Sequence, residues 1–153
     1  MVDRRLIAAG VALGAAAADQ VATSLVVHEA AHLPVWLVDD VGIEIAHNSG
    51  ISFSRFAGGG TVLAVVIGLV CVGLAVAIWR GPRGFAVPLG FILGGAAGNL
   101  IDRIRLGYVV DYVSIGPWPT FNLADIAIAV GAVLIVLHVL RPQPAGVDGT
   151  SAT

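Results

Sequence analysis

The chain has 153 residues, of which 58% are hydrophobic and only 12% charged, with a net charge of -2. A soluble domain carries roughly 25% charged residues; half that charge cannot cover a globule's surface, and with a mean hydropathy of +0.94 and a pI of about 6.0 an ordinary soluble domain, a disordered chain and a nucleic-acid binder are excluded. A lone cysteine, Cys71, rules out an intrachain disulfide, a CxxC redox pair and a cysteine zinc site, which leaves a small integral membrane protein.

A spanning helix needs ~20 mostly apolar residues, and four stretches qualify. The first runs from Leu6 to Val27, interrupted by Asp19-Gln20. Its start, Arg4-Arg5 followed by an apolar run and Ala15 to Ala18, resembles a secretory signal. The apolar character resumes after Gln20, however, so the segment reads as a full span. The loop from His28 to Gly60 holds Val35 to Val38, then Asp39-Asp40, then Val41 to His47, and two β-branched stretches around an acidic turn predict a small hairpin. Trp36 would anchor it on the membrane surface.

Twenty-four uncharged residues lie between Arg55 and Arg80, placing the second span at about Thr61 to Trp79. A tight turn from Arg80 to Arg83 leads to the third, Gly84 to Ile101. The segment from Arg103 to Thr120 contains Gly107, Gly116, Pro117 and Pro119 and is expected to be a short irregular loop. Phe121 to Leu140 gives the fourth span, with Asp125 in its first turns and His138 near its end. The expectation is an all-α membrane protein: one domain over residues 1–140, with spans at about 6–27, 61–79, 84–101 and 121–140, an extracytoplasmic β hairpin or platform after the first helix, and a disordered cytoplasmic tail over 141–153.

All eight basic residues are arginine. Arg4, Arg5, Arg80, Arg83 and Arg141 flank the ends that four spans place together, and cationic flanks are held in the cytoplasm; both termini are therefore expected there. Glu29, Asp39, Asp40 and Glu44 fall in the opposite loop. Trp79 suits the inner interface, and Trp36, Trp118, Tyr108 and Tyr112 the outer one.

Polar residues at membrane depth are costly unless they face a protein interior or water. Asp19, Asp102, Asp111 and Asp125 all fall near the outer ends of spans by this topology. Asn99 and Asp102 are three apart and share a helix face beside Arg103; Asn122 and Asp125 repeat that spacing. Asn48 lies in the hairpin loop above the same region. Two close carboxylates cannot both ionise easily and share a proton, so one can act as base on a water while the other polarises a carbonyl. On spacing alone three readings stay open: this aspartic peptidase chemistry, helix-end carboxylates paired with Arg103 and Arg105 for stability, and a proton or ion relay in a small transporter. No metal site is expected, because His28 and His32 at i, i+4 have no carboxylate or thiol to complete one. Ser49, Ser52 and Ser54 lack a base for a nucleophile.

Five ordered strings carry a family resemblance: Asp19-Gln20, Asn48 to Phe53 (NSGISF), Gly98 to Arg103 (GNLIDR), Val109 to Asp111 (VVD) and Phe121 to Asp125 (FNLAD). Together, over about Leu6 to Leu140, the chain resembles the lipoprotein signal peptidases, signal peptidase type II. The resemblance implies a bacterial inner-membrane aspartic endopeptidase that removes the signal peptide from prolipoproteins, cutting before a diacylglyceryl-modified cysteine near the outer leaflet. It implies that Asp111 and Asp125 are the catalytic pair, and that Asp19, Asn48, Asn99, Asp102, Arg103 and Asn122 shape and support the site. It further implies a β platform on the membrane, no metal or organic cofactor, contact with membrane lipid and inhibition by globomycin. Two positions depart from the family pattern. Thr23 stands where a lysine is usual, removing an i, i+4 partner for Asp19, and Ile51-Ser52 stand where two alanines are usual, adding bulk near the substrate path.

Overall fold

The computed structural model describes residues 3–50 and 59–141. Ile51 to Phe53 of the second motif, with Ser52, Ser54 and Arg55, lie outside the described residues, as does the expected tail beyond Arg141.

Helix α1 (Arg4–His28) starts at Asp3, whose carboxylate accepts the Arg5 N–H at 3.0 Å, a normal N-cap. After it, β1 (Val35–Val38) and β2 (Val41–Asn48) form the expected antiparallel hairpin around Asp39-Asp40. Helix α2 (Gly59–Arg80) follows, then α3 (Ala86–Leu106), which runs beyond the predicted end at Ile101 and stops at Gly107, a left-handed C-cap with φ 84°.

The segment between α3 and the last helix is not the irregular loop expected from its glycines and prolines. It forms β3 (Val109–Ile115) and β4 (Trp118–Phe121). Gly116, at φ 52°, and Pro117 make the turn between them; the punctuating residues mark a hairpin tip. The β-branched run Val109-Val110 and Val113 supplies the strand preference. The sheet is antiparallel in the order β1-β2-β3-β4, with Ala46 opposite Asp111. The fold is therefore helical with a four-stranded sheet rather than a two-stranded one. Helix α4 (Leu123–Val139) ends the described chain.

Among the described residues, three helices, α1, α2 and α3, are long and apolar enough to cross a membrane; α4, with 17 residues, is shorter. Many large apolar side chains face outward, including Leu13, Leu69, Val72 and Val133. Between helices in lipid there is little hydrophobic drive, and close packing of small residues takes its place. Helix α3 is the hub of that packing. Its Gly90 lies against the Ala8 carbonyl of α1, and Gly95 against the Ala124 carbonyl of α4. A methyl group added at Gly98 would come within 2.6 Å of Asp19 Oδ2. This tight contact brings the polar ends of α1, α3 and α4 together beneath the sheet. Helix α2 packs chiefly on α3 and stands at the side of the bundle.

Candidate active site

The polar cluster is assembled where α1, α3, β3 and the start of α4 meet. Asp111 projects from β3 and is 4% exposed. Its Oδ2 accepts from Asn48 Nδ2 at 3.0 Å, and its Oδ1 from Asn122 Nδ2 at 3.2 Å. The Asn122 amide also donates to Asn99 Oδ1 at 2.9 Å, and Asn99 Nδ2 donates in turn to Asp125 Oδ1 at 2.9 Å. Two carboxylates are thus joined through two asparagine amides whose orientations are mutually fixed. Asn48 is locked as well, because its Oδ1 accepts the Gly50 N–H at 3.0 Å.

Asp125 sits at the third position of α4. The first turn of a helix leaves backbone N–H groups without partners, and here side chains meet all of them. The Asn122 N–H donates to Asp125 Oδ2 at 3.3 Å and the Asp125 N–H to Asn122 Oδ1 at 2.9 Å, a reciprocal capping box. The Leu123 N–H donates to the Tyr112 hydroxyl at 3.2 Å and the Ala124 N–H to Asp19 Oδ1 at 2.9 Å. Burial pushes the Tyr112 hydroxyl up to about 12, so it keeps its proton while accepting from Leu123.

Electrostatics set the protonation of the cluster. Burial pushes the Asp111 carboxyl up to about 6; the Asn48 hydrogen bond and the Arg103 guanidinium oppose the rise, and the charges of Asp125 and Asp102 add to it.

All eight residues expected at the site converge, though not all as expected. Asp102 is not paired with its neighbour Arg103. It is 0% exposed, accepting from Gln20 Nε2 at 2.9 Å and from the Val110 N–H at 3.3 Å. Consecutive residues on a helix point about 100° apart, which separates the two side chains. Arg103 instead donates from Nη1 to the Asn99 carbonyl at 3.1 Å. Its Nε is buried without a partner among the described residues, beside a cavity of about 360 Å³ lined by Gly60, Thr61, Ala64, Ile104 and Gly107. Thr23 is buried too, so the departure from lysine falls in the interior and not on a solvated face. Gln20 and Tyr112, absent from the expected site, complete it. The sequence of β3 does not alternate polar and apolar residues with period 2, and no local signal in it places Tyr112 at the site. Among the described residues, no group of three or more His, Cys, Asp or Glu side chains is arranged to hold a metal ion.

The chain is similar to known proteins over most of its length. A family described as signal peptidase (SPase) II matches residues 11–141. A lipoprotein signal peptidase of Rhodococcus jostii is 40% identical over 130 residues, covering 76% of this chain and 62% of that protein. One of Halothermothrix orenii is 40% identical over 102 residues, covering 65% and 70%, and one of Mycobacterium leprae is 42% identical over 109 residues, covering 65% and 53%. The matched stretch therefore spans only about six-tenths of the first relative's length. A bacterial membrane enzyme solved by the in meso method at 1.9 Å shares the fold, with a TM-score of 0.79 at 21% identity, over 89% of this chain and 94% of that one.

Proposed function

Given that the chain belongs to the signal peptidase II family, we propose that it is an intramembrane aspartic endopeptidase. It removes the signal peptide from diacylglyceryl-modified prolipoproteins, cutting just before the lipidated cysteine. The observation that carries this reading is the hydrogen-bonded array Asp111–Asn122–Asn99–Asp125, which holds two carboxylates in one desolvated, amide-lined site.

The chemistry follows from sharing one proton between Asp111 and Asp125. The ionised member takes a proton from a water as its oxygen attacks the scissile carbonyl carbon. The protonated member donates to the carbonyl oxygen. The tetrahedral diol then collapses: one hydroxyl returns its proton to the second carboxylate as C=O re-forms, the C–N bond breaks, and the departing cysteine nitrogen takes the proton that the first carboxylate received. Because the proton belongs to the pair, base and acid are roles of the dyad and not fixed labels. Asn48, Asn99 and Asn122 fix the carboxylates from the side, Asp19 and Asp102 from beneath, and Arg103 lends positive charge nearby. No metal or organic cofactor enters these steps.

Membrane placement is part of the proposal. Residues 1–140 form one peptidase domain that crosses the bacterial inner membrane four times. A helix of 17 residues lies at the short end of the spanning range, and the connecting β4 carries the chain to its start. Both termini face the cytoplasm, with the arginines, and the sheet and dyad lie near the outer leaflet. Val35 to Val38, all exposed, rest on lipid there. The substrate's signal helix lies against the spans, and its diacylglyceryl chains in the lipid.

The test is cleavage by purified protein in detergent. A diacylglyceryl-modified prolipoprotein should be cut before its cysteine, the same precursor without the lipid should not, and globomycin should block the reaction. Failure to cut the lipidated precursor would dismiss the peptidase reading.

A further inference from the structure

Beneath the dyad, two buried carboxylates are arranged in matching fashion. Asp19 uses Oδ1 to hold the backbone N–H of Ala124, the residue immediately before Asp125. Asp102 uses Oδ2 to hold the N–H of Val110, the residue immediately before Asp111. Each carboxylate thus pins the backbone one residue ahead of a dyad member, and each has its other oxygen turned toward Gln20. Gln20 Nε2 lies 3.2 Å from Asp19 Oδ2, 2.9 Å from Asp102 Oδ1 and 3.3 Å from the Gly98 carbonyl. One amide nitrogen bridges the two clamps.

A side-chain amide could sit either way round, but only one way serves here. Arg105 Nη1 donates to Gln20 Oε1 at 2.9 Å. With the amide turned over, its oxygen would face two carboxylates and a carbonyl, and its NH₂ would face a guanidinium. Every contact would then set like against like.

We propose that Gln20 is a positioning residue that sets the separation of the Asp111 and Asp125 carboxylates, and that Arg105 holds its amide in the working orientation. This rests on the two-aspartate reading above. Thr23 and Arg105 line the same cavity of about 270 Å³, together with Asp102. The buried Thr23 hydroxyl has no partner among the described residues. A lysine side chain at position 23 would enter that cavity and bring a second cation to the Gln20 carbonyl.

The experiment measures kcat and KM for a diacylglyceryl-prolipoprotein across a pH series, per folded molecule, with the full chain in detergent. Gln20→Ala should lower kcat by about 10²-fold, the scale of a misplacement of order 1 Å, and leave KM nearly unchanged. Gln20→Glu can donate only when protonated, so its activity profile should shift toward acid. Arg105→Gln should lower kcat less, and adding Thr23→Lys should restore it. A wild-type kcat and pH profile in Gln20→Ala would overturn the proposal, as would a loss of activity matched wholly by loss of folded protein. An Arg105→Gln variant at full rate, or one that Thr23→Lys fails to restore, would refute the orienting role of Arg105. Asp111→Asn separates the two levels. If it still cleaves, the dyad reading itself falls; if it is inactive while Gln20→Ala is fully active, only the positioning role falls.

Discussion

Replacing Asp111 with asparagine should remove activity and strengthen the fold in one step, and the two effects have different pH dependences. Folding carries Asp111 from its usual 3.8 up to about 6. The folded state therefore binds the proton more tightly than the unfolded state. The group's contribution to stability is complete below about 4 and is lost as pH rises to about 6 and beyond. At 1.36 kcal/mol per unit, ionised Asp111 costs on the order of 3 kcal/mol at neutral pH. Asparagine escapes that cost and still accepts from Asn122 through its oxygen. Its NH₂, however, faces the Asn48 NH₂ where a carboxylate oxygen stood, a loss of about 1 kcal/mol. The net expectation is a gain of about 2 kcal/mol above neutral pH, turning into a loss of about 1 kcal/mol below pH ~4, where the wild-type carboxyl is protonated in both states. Cleavage should fall by at least about 10²–10⁴-fold, the usual worth of an acid–base group. Thermal unfolding in detergent at acid and mildly alkaline pH, beside the cleavage assay, reads both. A variant that cleaves normally, or one that is equally destabilised at both pH values, would refute the reasoning.

Asp125→Asn should also abolish cleavage, and the Asp111→Asn/Asp125→Asn double variant should be no slower than either single one, since groups acting as a unit are not additive; multiplicative losses would argue for independent roles. Asn122→Ala removes the cap of α4 and the bridge between the carboxylates, so it should cost about 1–2 kcal/mol in unfolding experiments and slow cleavage even where the protein is folded. Wild-type cleavage should decline as pH rises above about 6, where Asp111 gives up the shared proton; a rate still climbing well above that pH would exclude a protonated carboxyl from the reaction. Single cysteines replacing Asp40 and Ser151, in a Cys71→Ala background, should react with an impermeant thiol reagent from opposite sides of the membrane, and labelling of both from one side would mean that α4 does not cross.

The helices and the identity of the polar cluster were legible because each leaves a one-dimensional mark. Apolar runs mark α1 to α4, and aspartates within or beside such runs are costly unless they face a protein interior or water. The β1–β2 hairpin was legible for the same reason, since Val35 to Val38 and Val41 to His47 flank a two-residue turn. What escaped reading depends on chain segments meeting in space. β3 carries an aspartate between its valines and is followed by glycine and prolines, so its local signal is that of a loop; pairing with β2 overrides it. Adjacency of Asp102 and Arg103 suggested an ion pair, but the partners of Asp102 come from Gln20 in α1 and from the β3 backbone. The buried position of Thr23 likewise depends on where α3 passes α1, which the periodicity of α1 alone does not specify.

The capping of α4 also decides where help for the reaction can come from. In many hydrolases the negative charge that grows on the carbonyl oxygen is met by free backbone N–H groups, and a helix N-terminus is a ready source of them. Here the N–H groups of Asn122, Leu123, Ala124 and Asp125 are committed to Asp125, Tyr112, Asp19 and Asn122. The first turn of α4 has no donor left for a developing oxyanion. In the proposed reaction, the first turn of α4 therefore offers the carbonyl oxygen no backbone cradle, and proton transfer from the dyad neutralises it. That ties the rate to possession of one carboxyl proton, and it makes a protonated aspartic acid the electrophile on which this end of the helix depends.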